Sequence, residues 1–237
     1  MNKLLTTFLA IAVASVTALA QAQGTAPTQQ KAAAPATAPA PGGVKSLEAK
    51  TAMCIGCHGI RGYQASFPEV YKVPMISGQS AKYIAASLTA YKNGDRKHPT
   101  MRRVSESLSE QDIKDIATYY EAHGKEAGAA ALPEKASKEP GPQVAALLQK
   151  AACVSCHGAN FAKPIDPSYP KIAGQYADYL FVSLKAYKVD NNPAVGRNNG
   201  IMSAISKQFN NNELKALAGY IGSLEGDLVV KPDNKFR

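Results

Sequence analysis

Residues 54–59 read CIGCHG and residues 153–158 read CVSCHG, and these two short stretches decide the fold. Each holds a C-x-x-C-H pattern followed by glycine. The chain has four cysteines, and all of them lie in these two stretches. On a helix the two cysteines of one motif are about one turn apart, so both sulfurs can lie along one edge of a flat ligand.

The sequence after each motif repeats in the same order, which indicates two copies of one domain. A P-x-x-x-G-Q pattern at 74–79 in the first copy stands at 170–175 in the second. The further matched pairs are Tyr83/Tyr179, Ser87/Ser183, Leu88/Leu184, Tyr91/Tyr187, Arg96/Arg197 and Met101/Met202. The spacing between the copies changes only in loop-like stretches, so we expect the two domains to share one architecture.

Each copy has the pattern of a helical domain. Apolar residues within 84–91 recur at helical spacing, and no stretch shows a convincing alternating strand pattern. Ser109 with Asp112 has the pattern of a helix capping box, and Asn210 with Glu213 repeats it. We therefore predict an all-α fold of two small domains.

The C-x-x-C-H pattern is the attachment signature of c-type haem. In this chemistry the two thiols form thioethers with the haem vinyl groups, and the adjacent histidine binds the iron. We predict two haem c groups. The residues assigned to them are Cys54, Cys57 and His58 in the first copy, and Cys153, Cys156 and His157 in the second.

Four cysteines in two C-x-x-C pairs can serve purposes other than haem attachment. A C-x-x-C pair can be a redox dithiol, four cysteines can form two disulfides, and cysteine with histidine can bind zinc. Each alternative leaves the histidine that directly follows both motifs unexplained, so haem attachment is favoured.

The second axial ligand of each iron sets its role, and a methionine thioether favours electron transfer. Met101 and Met202 are repeat partners, each predicted in a loop ahead of a capped helix, and we assign them as the sixth ligands. Met53 adjoins the cysteine motif and cannot reach the far haem face. Met75 has a lysine, Lys171, as its repeat partner. Two matched positions outweigh the usual role of methionine as core filler.

Several polar groups are expected to support the haem sites. An iron-binding histidine donates its other ring N–H to a fixed acceptor, for which the carbonyls of Pro74 and Pro170 are candidates. Arg96 and Arg197 precede the two ligand methionines and are predicted to contact haem propionates, with an exposed surface role as the alternative. His98 has no histidine repeat partner and is expected to be a solvated loop residue.

The N-terminus has the pattern of an export signal. Lys3 precedes an apolar run over 4–20 with small-residue cleavage sites, so residues 1–22 are predicted to be a signal peptide, with an uncleaved anchor as the alternative. The remaining predicted segments are an Ala/Pro-rich tether at 23–43, a first cytochrome domain at 44–124, a linker at 125–142 and a second cytochrome domain at 143–237. The predicted location is the periplasm, with an inner-membrane tether as the variant.

The formal net charge is +9. In an exported chain without nucleic-acid motifs, this basicity indicates redox protein partners with an acidic docking surface, or an anionic membrane. Simple solubility is the alternative explanation. The basic residues near Met101 are Arg96, Lys97, Arg102 and Arg103, and we expect this face of the first domain to dock the partner.

The repeated C-x-x-C-H-G motifs, the P-x-x-x-G-Q patterns and the paired methionines resemble the dihaem cytochrome c-four family over about residues 44–225. The resemblance implies tandem class I cytochrome c domains, each a small helical bundle around one covalently bound haem. It also implies delivery of electrons to a terminal oxidase or a similar respiratory acceptor.

Six-coordinate irons leave no open position for a substrate, so we expect an electron carrier in the respiratory chain and not an enzyme. The first alternative is a cytochrome subunit of a dehydrogenase complex that oxidises sulfide or an alcohol. The second is a dihaem peroxidase, which requires one iron with a displaceable ligand.

Overall fold

The computed structural model describes residues 46–125 and 131–232, called here the first and second halves. The signal peptide predicted at 1–22 and the tether at 23–43 lie outside the described residues. The helices of the first half are α1 (Leu47–His58), α2 (Ala81–Asn93), α3 (Pro99–Glu106) and α4 (Glu110–His123). Those of the second half are α5 (Pro142–Ala151), α6 (Val154–His157), α7 (Ala177–Ala186), α8 (Gly200–Ser206) and α9 (Asn211–Gly222). The predicted all-α class is confirmed.

The last long helix of each half begins where the sequence indicates. Ser109 accepts a hydrogen bond from the backbone of Asp112, whose carboxylate accepts one from the Ser109 backbone, so α4 has a complete capping box. Asn210 and Glu213 form the same reciprocal pair at the start of α9. Each cap satisfies backbone N–H groups that the first turn of a helix leaves unpaired.

Two helices form the core of each half. In the first half α2 and α4 bury one cluster, whose members are Ile84, Leu88, Ile113, Ile116, Ala117 and Tyr120. In the second half α7 and α9 supply the buried residues Leu180, Leu214, Leu217, Ala218 and Ile221. Burial of each large aliphatic side chain contributes about 1.5–3 kcal/mol, so these paired helices are the main source of stability.

The two cysteine motifs lie on helices of different form. Helix α1 runs unbroken through the first motif to His58. In the second half α5 ends at Ala151, before the motif, and the following residue, Ala152, has a φ of 48°. The backbone N–H groups of Ala152 and Cys153 then donate to Gln149 and Leu148, which closes α5, and α6 begins. A left-handed turn therefore reorients the chain where the first half continues straight.

Short strands add contacts that the sequence pattern did not indicate. Strands β1 (Gln64–Ala65) and β2 (Tyr71–Lys72) pair within the first half, whereas β3 (Arg96–Lys97) pairs antiparallel with β4 (Gly196–Arg197) of the second half. Strands of two residues are too short to show an alternating pattern. The β3–β4 pair joins the two halves through their backbones.

Polar contacts close the junction between the halves. Asp178 accepts hydrogen bonds from the backbone N–H and the ammonium group of Lys72, at 3.1 and 3.3 Å. The Ser80 hydroxyl donates to the Pro167 carbonyl at 2.6 Å. The C-terminal stretch contributes a β-bridge from Val229 to Ser77. These contacts hold the halves in one relative orientation.

None of the helices formed by residues 46–125 and 131–232 is both long and apolar enough to cross a bilayer.

Candidate cofactor-binding site

A cavity of about 950 Å³ lies between the halves and is lined by residues of both. Its lining contains every residue predicted to bind haem: Cys54, Cys57, His58, Arg96, Met101, Cys153, Cys156, His157, Arg197 and Met202. Residues far apart in the sequence therefore meet around one space, and two equivalent sets of donors face it.

Both histidines of the motifs are held by a backbone carbonyl. The Nδ1–H of His58 donates to the Pro74 carbonyl at 2.8 Å, and that of His157 donates to the Pro170 carbonyl at 3.0 Å. The predicted acceptors are thus confirmed. Because a carbonyl only accepts, the proton is on Nδ1 and the lone pair of Nε2 is free to bind a metal. Burial lowers the pKa of both imidazoles, which favours this neutral form.

The four cysteines supply the two pairs of sulfur atoms that two thioether-linked groups require. All four are unbridged. Burial raises the pKa of Cys54 and of Cys153 to about 11, which disfavours the thiolate form that a redox dithiol needs. Among the described residues, no three His, Cys, Asp or Glu side chains gather in a way that could hold a metal ion. The redox-dithiol and zinc alternatives are therefore less well supported than haem attachment.

Met101 and Met202 lie in the first turns of α3 and α8. The prediction that they lie in loops is therefore wrong. The difference follows from a cap that was missed. The His98 ring accepts the backbone N–H of Met101 at 3.3 Å, and the Asn199 side chain accepts that of Met202 at 2.9 Å. Asn199 as a cap and Pro99 at the helix start were signals that could have predicted these helices.

His98 is therefore not the solvated loop residue that the sequence suggested. Its ring is half-buried, caps α3 through one nitrogen and contacts the Tyr71 hydroxyl through the other at 3.0 Å. Both ring nitrogens are engaged in this way, so His98 has a structural role next to Met101.

The two arginines occupy equivalent positions inside the junction. Arg96 donates to the Tyr83 hydroxyl at 3.1 Å, and Arg197 donates to the Tyr179 hydroxyl at 3.0 Å. Each guanidinium also lies over two tyrosine rings of its own half. Arg96 is half-buried and lines the cavity, so the docking face predicted for the first half depends mainly on its other basic residues.

The donor set fits a haem in each half. In the first half two thiols and a histidine with a free Nε2 lie on α1; in the second half they lie on α6 and on Cys153, the residue before it. A methionine from α3 or α8 lines the same cavity. Arg96 and Arg197 are half-buried, and among the described residues neither has a carboxylate partner. Their positive charge suits the anionic substituents of a haem. No part of this lining conflicts with a large, flat and mostly apolar group carrying two carboxylates.

Comparison with known proteins agrees with this site. The family model described as cytochrome c matches residues 47–122 and again 143–225. Cytochrome c4 of Thiocapsa roseopersicina is 30% identical over 200 residues, covering 80% of this chain and 96% of the relative. The thiosulfate dehydrogenase electron acceptor of Thiomonas intermedia is 26% identical over 191 residues, covering 78% of this chain and 84% of the relative.

A solved structure has the same architecture. The crystal structure of reduced recombinant cytochrome c4 from Pseudomonas stutzeri matches with a TM-score of 0.54 at 25% identity, covering 76% of this chain and 97% of that one. Because the family model matches both halves and the cytochrome c4 relatives match nearly their whole length, the chain belongs to the dihaem cytochrome c4 family and is an electron-transfer protein with two covalent haem c groups, not an enzyme.

Proposed function

We propose that this chain is a periplasmic carrier that passes single electrons through two His/Met-ligated haems to a respiratory acceptor such as a terminal oxidase. One observation carries the proposal: two equivalent donor sets line one cavity at the junction of the halves. The haem iron, when bound, supplies reversible one-electron redox chemistry. The residues of the chain would attach and orient each haem and would occupy both remaining coordination positions of its iron, so that no substrate can bind there.

The position of each residue in the cavity supports the role that we propose for it. Cys54 and Cys57 would attach the haem through thioethers, and His58 and Met101 would bind its iron. The equivalent residues of the second half are Cys153, Cys156, His157 and Met202. The fixed Nδ1–H of each histidine supports this assignment, because it directs Nε2 toward the cavity. The domains are proposed at 44–124 and 143–237, joined by the linker at 125–142.

The decisive test counts and characterises the haems. We expect purified protein to keep two haems per chain after denaturation and to show methionine ligation at both irons in redox-titrated absorption spectra. A chain that releases its pigment on denaturation, or that carries one haem only, would rule the proposal out.

The acceptor is proposed to carry an acidic docking surface. Of the basic residues near Met101, Arg102 and Arg103 on α3 are exposed, whereas Lys97 is half-buried and donates to the Asn192 carbonyl at 2.6 Å. Charge reversal at Arg102 should slow electron transfer to the acceptor and weaken its dependence on ionic strength. The exposed Lys215 on α9 is the matched control, and its reversal should leave both unchanged. Equal effects at both positions would argue against docking at the first half.

A second candidate function is supported by one comparison. The relative from Thiomonas intermedia is named as the electron acceptor of a thiosulfate dehydrogenase. This chain would then receive electrons from a sulfur-oxidising dehydrogenase, a variant of the dehydrogenase-linked alternative. Rapid reduction of the oxidised protein by such an enzyme with its substrate, and not by a quinol-oxidising complex, would favour this function over oxidase delivery alone.

A further inference from the structure

Each half binds the backbone N–H and carbonyl of one residue of the other half through one glutamine side chain. Gln175 Oε1 accepts the backbone N–H of Met75 at 3.1 Å, and Gln175 Nε2 donates to the Met75 carbonyl at 2.9 Å. In the opposite direction, Gln79 Oε1 accepts the N–H of Lys171 at 3.0 Å, and its Nε2 donates to the Lys171 carbonyl at 2.9 Å. Both glutamines are 4% exposed. They are the glutamines of the repeated P-x-x-x-G-Q patterns.

One of the two peptide groups that each glutamine binds also binds a histidine. The N–H of Met75 and the carbonyl of Pro74 are the two ends of one peptide bond. That carbonyl accepts the Nδ1–H of His58. A continuous series of hydrogen bonds therefore runs from Gln175 of the second half to His58 of the first. The equivalent series runs from Gln79 through the peptide bond 170–171 to His157.

The orientation of both glutamines is fixed. The Oε1 atom of Gln79 also accepts the backbone N–H of Ser80, and that of Gln175 accepts the N–H of Tyr176, each at 3.0 Å. The preceding Gly78 has a φ of 89°, and a Cβ there would lie 2.6 Å from the Asp227 carbonyl oxygen, so the turn that aims Gln79 requires glycine. Oxygen thus faces the peptide N–H and the amide nitrogen faces the peptide carbonyl.

Hydrogen bonds in series polarise one another. An acceptor on the N–H end of an amide increases the negative charge on its carbonyl oxygen, which then binds the Nδ1–H of histidine more strongly. A histidine with a stronger acceptor is a more basic ligand and stabilises the ferric state. The structure thus gives each half a means to influence the ligand in the other.

We propose that Gln175 and Gln79 are positioning residues that set the reduction potential of the haem in the opposite half. The inference rests on the proposed function, because it takes His58 and His157 as axial ligands. Its distinctive content is the crossed pattern: Gln175 acts on the His58 site and Gln79 acts on the His157 site.

The test replaces each glutamine with leucine in the full-length holoprotein. Proton NMR during a redox titration follows the Met101 and Met202 methyl signals, so each site has its own midpoint. We expect Gln175→Leu to shift the ferric–ferrous equilibrium at the His58 site toward ferrous by about two- to fivefold, with a smaller change at the His157 site. Gln79→Leu should shift the equilibrium toward ferrous mainly at the His157 site, with a smaller change at the His58 site.

Two further variants separate tuning from a loosened interface. Ser80→Ala removes the hydrogen bond to Pro167 at the same junction but leaves both series intact, so neither midpoint should move. Gln175→Glu retains the acceptor and adds negative charge, so the His58 midpoint should fall. Equal shifts at both sites in the leucine variants, shifts in Ser80→Ala of the same size, or a rise in Gln175→Glu would overturn the proposal.

Failure of the tuning proposal and failure of the proposed function give different results. If wild-type protein lacks two haems with methionine ligation, the proposed function is wrong and the tuning proposal is overturned with it. If the wild-type spectra are as expected and the crossed pattern is absent, only the roles of Gln79 and Gln175 are wrong.

Discussion

Arg96 and Arg197 are direct partners across the antiparallel pair of strands β3 and β4, so two cationic side chains from different halves meet at the junction. Among the described residues, neither has a carboxylate within ion-pair distance. Like charges placed together in a half-buried position are unfavourable without compensating anions. The carboxylates of haem propionates, the contact that the sequence predicts, would supply those anions.

Replacement of Arg197 by glutamine tests this electrostatic role. A positive charge near an iron favours the ferrous state, which carries one charge less. We expect Arg197→Gln to shift the equilibrium toward ferric by about three- to tenfold, where a tenfold one-electron shift is about 59 mV. Redox titration measures this shift. Arg103→Gln is the control, because the Arg103 side chain is 84% exposed and pairs with Glu106. Equal midpoints in wild type and Arg197→Gln would contradict the assignment.

The methionine assignment predicts a gain of ligand binding. Met101→Leu and Met202→Leu should each leave one iron with a free coordination position, lower its reduction potential and allow it to bind imidazole or carbon monoxide. Absorption spectra with and without the added ligand measure this directly. Met53→Leu is the matched control, since Met53 is 65% exposed and should not affect ligation. Wild-type spectra in both leucine variants would show that these methionines are not ligands.

Much of the site could be predicted because its signals are local and occur twice. The C-x-x-C-H motifs, the paired methionines and the proline carbonyls are each defined by a few residues at fixed spacing. The capping boxes at Ser109 and Asn210 were also predicted, because they depend on two side chains within one turn.

The features that the sequence did not reveal depend on contacts between the halves or on backbone conformation. The β3–β4 pair joins residues a hundred positions apart and is too short to have a period. The burial of Arg96 follows from that pairing. The left-handed Ala152 could not be anticipated, because alanine has no preference for positive φ and tertiary packing must impose it. The links from Gln79 and Gln175 likewise exist only once the halves are docked.

An ionic network at the start of α4 predicts a specific loss of stability in acid. The carboxylate of Asp112 accepts hydrogen bonds from the hydroxyl and the backbone N–H of Ser109, and lies 2.9 Å from the ammonium group of Lys50. The Ser109 hydroxyl first, and Lys50 next, lower the pKa of Asp112 to about 2. Between this value and the unfolded value of about 3.9 the unfolded chain binds more protons.

The contribution of Asp112 is therefore fully present above about pH 4 and is lost as the pH falls through about 2. We expect Asp112→Asn to reduce the free energy of unfolding at pH 7 and to flatten its decline between pH 4 and pH 2, as measured by urea unfolding. In a Lys50→Met background the same substitution should have a smaller effect, because one partner is already absent. An unaltered pH profile in Asp112→Asn would show that this network does not contribute.

Two glycines of α9 provide opposite predictions within one helix. A Cβ at Gly222 would lie 2.8 Å from the Gln175 carbonyl oxygen and 3.1 Å from the Ala177 side chain, whereas a Cβ at Gly219 would meet nothing within 4 Å. We expect Gly222→Ala to destabilise the protein by about 1–3 kcal/mol, because α9 must move away from the start of α7. Gly219→Ala should instead stabilise it by up to about 1 kcal/mol, since alanine favours the helix. Urea unfolding measures the stability of both variants. If Gly222→Ala stabilised the protein, α9 and α7 would have to be packed less closely than these distances indicate.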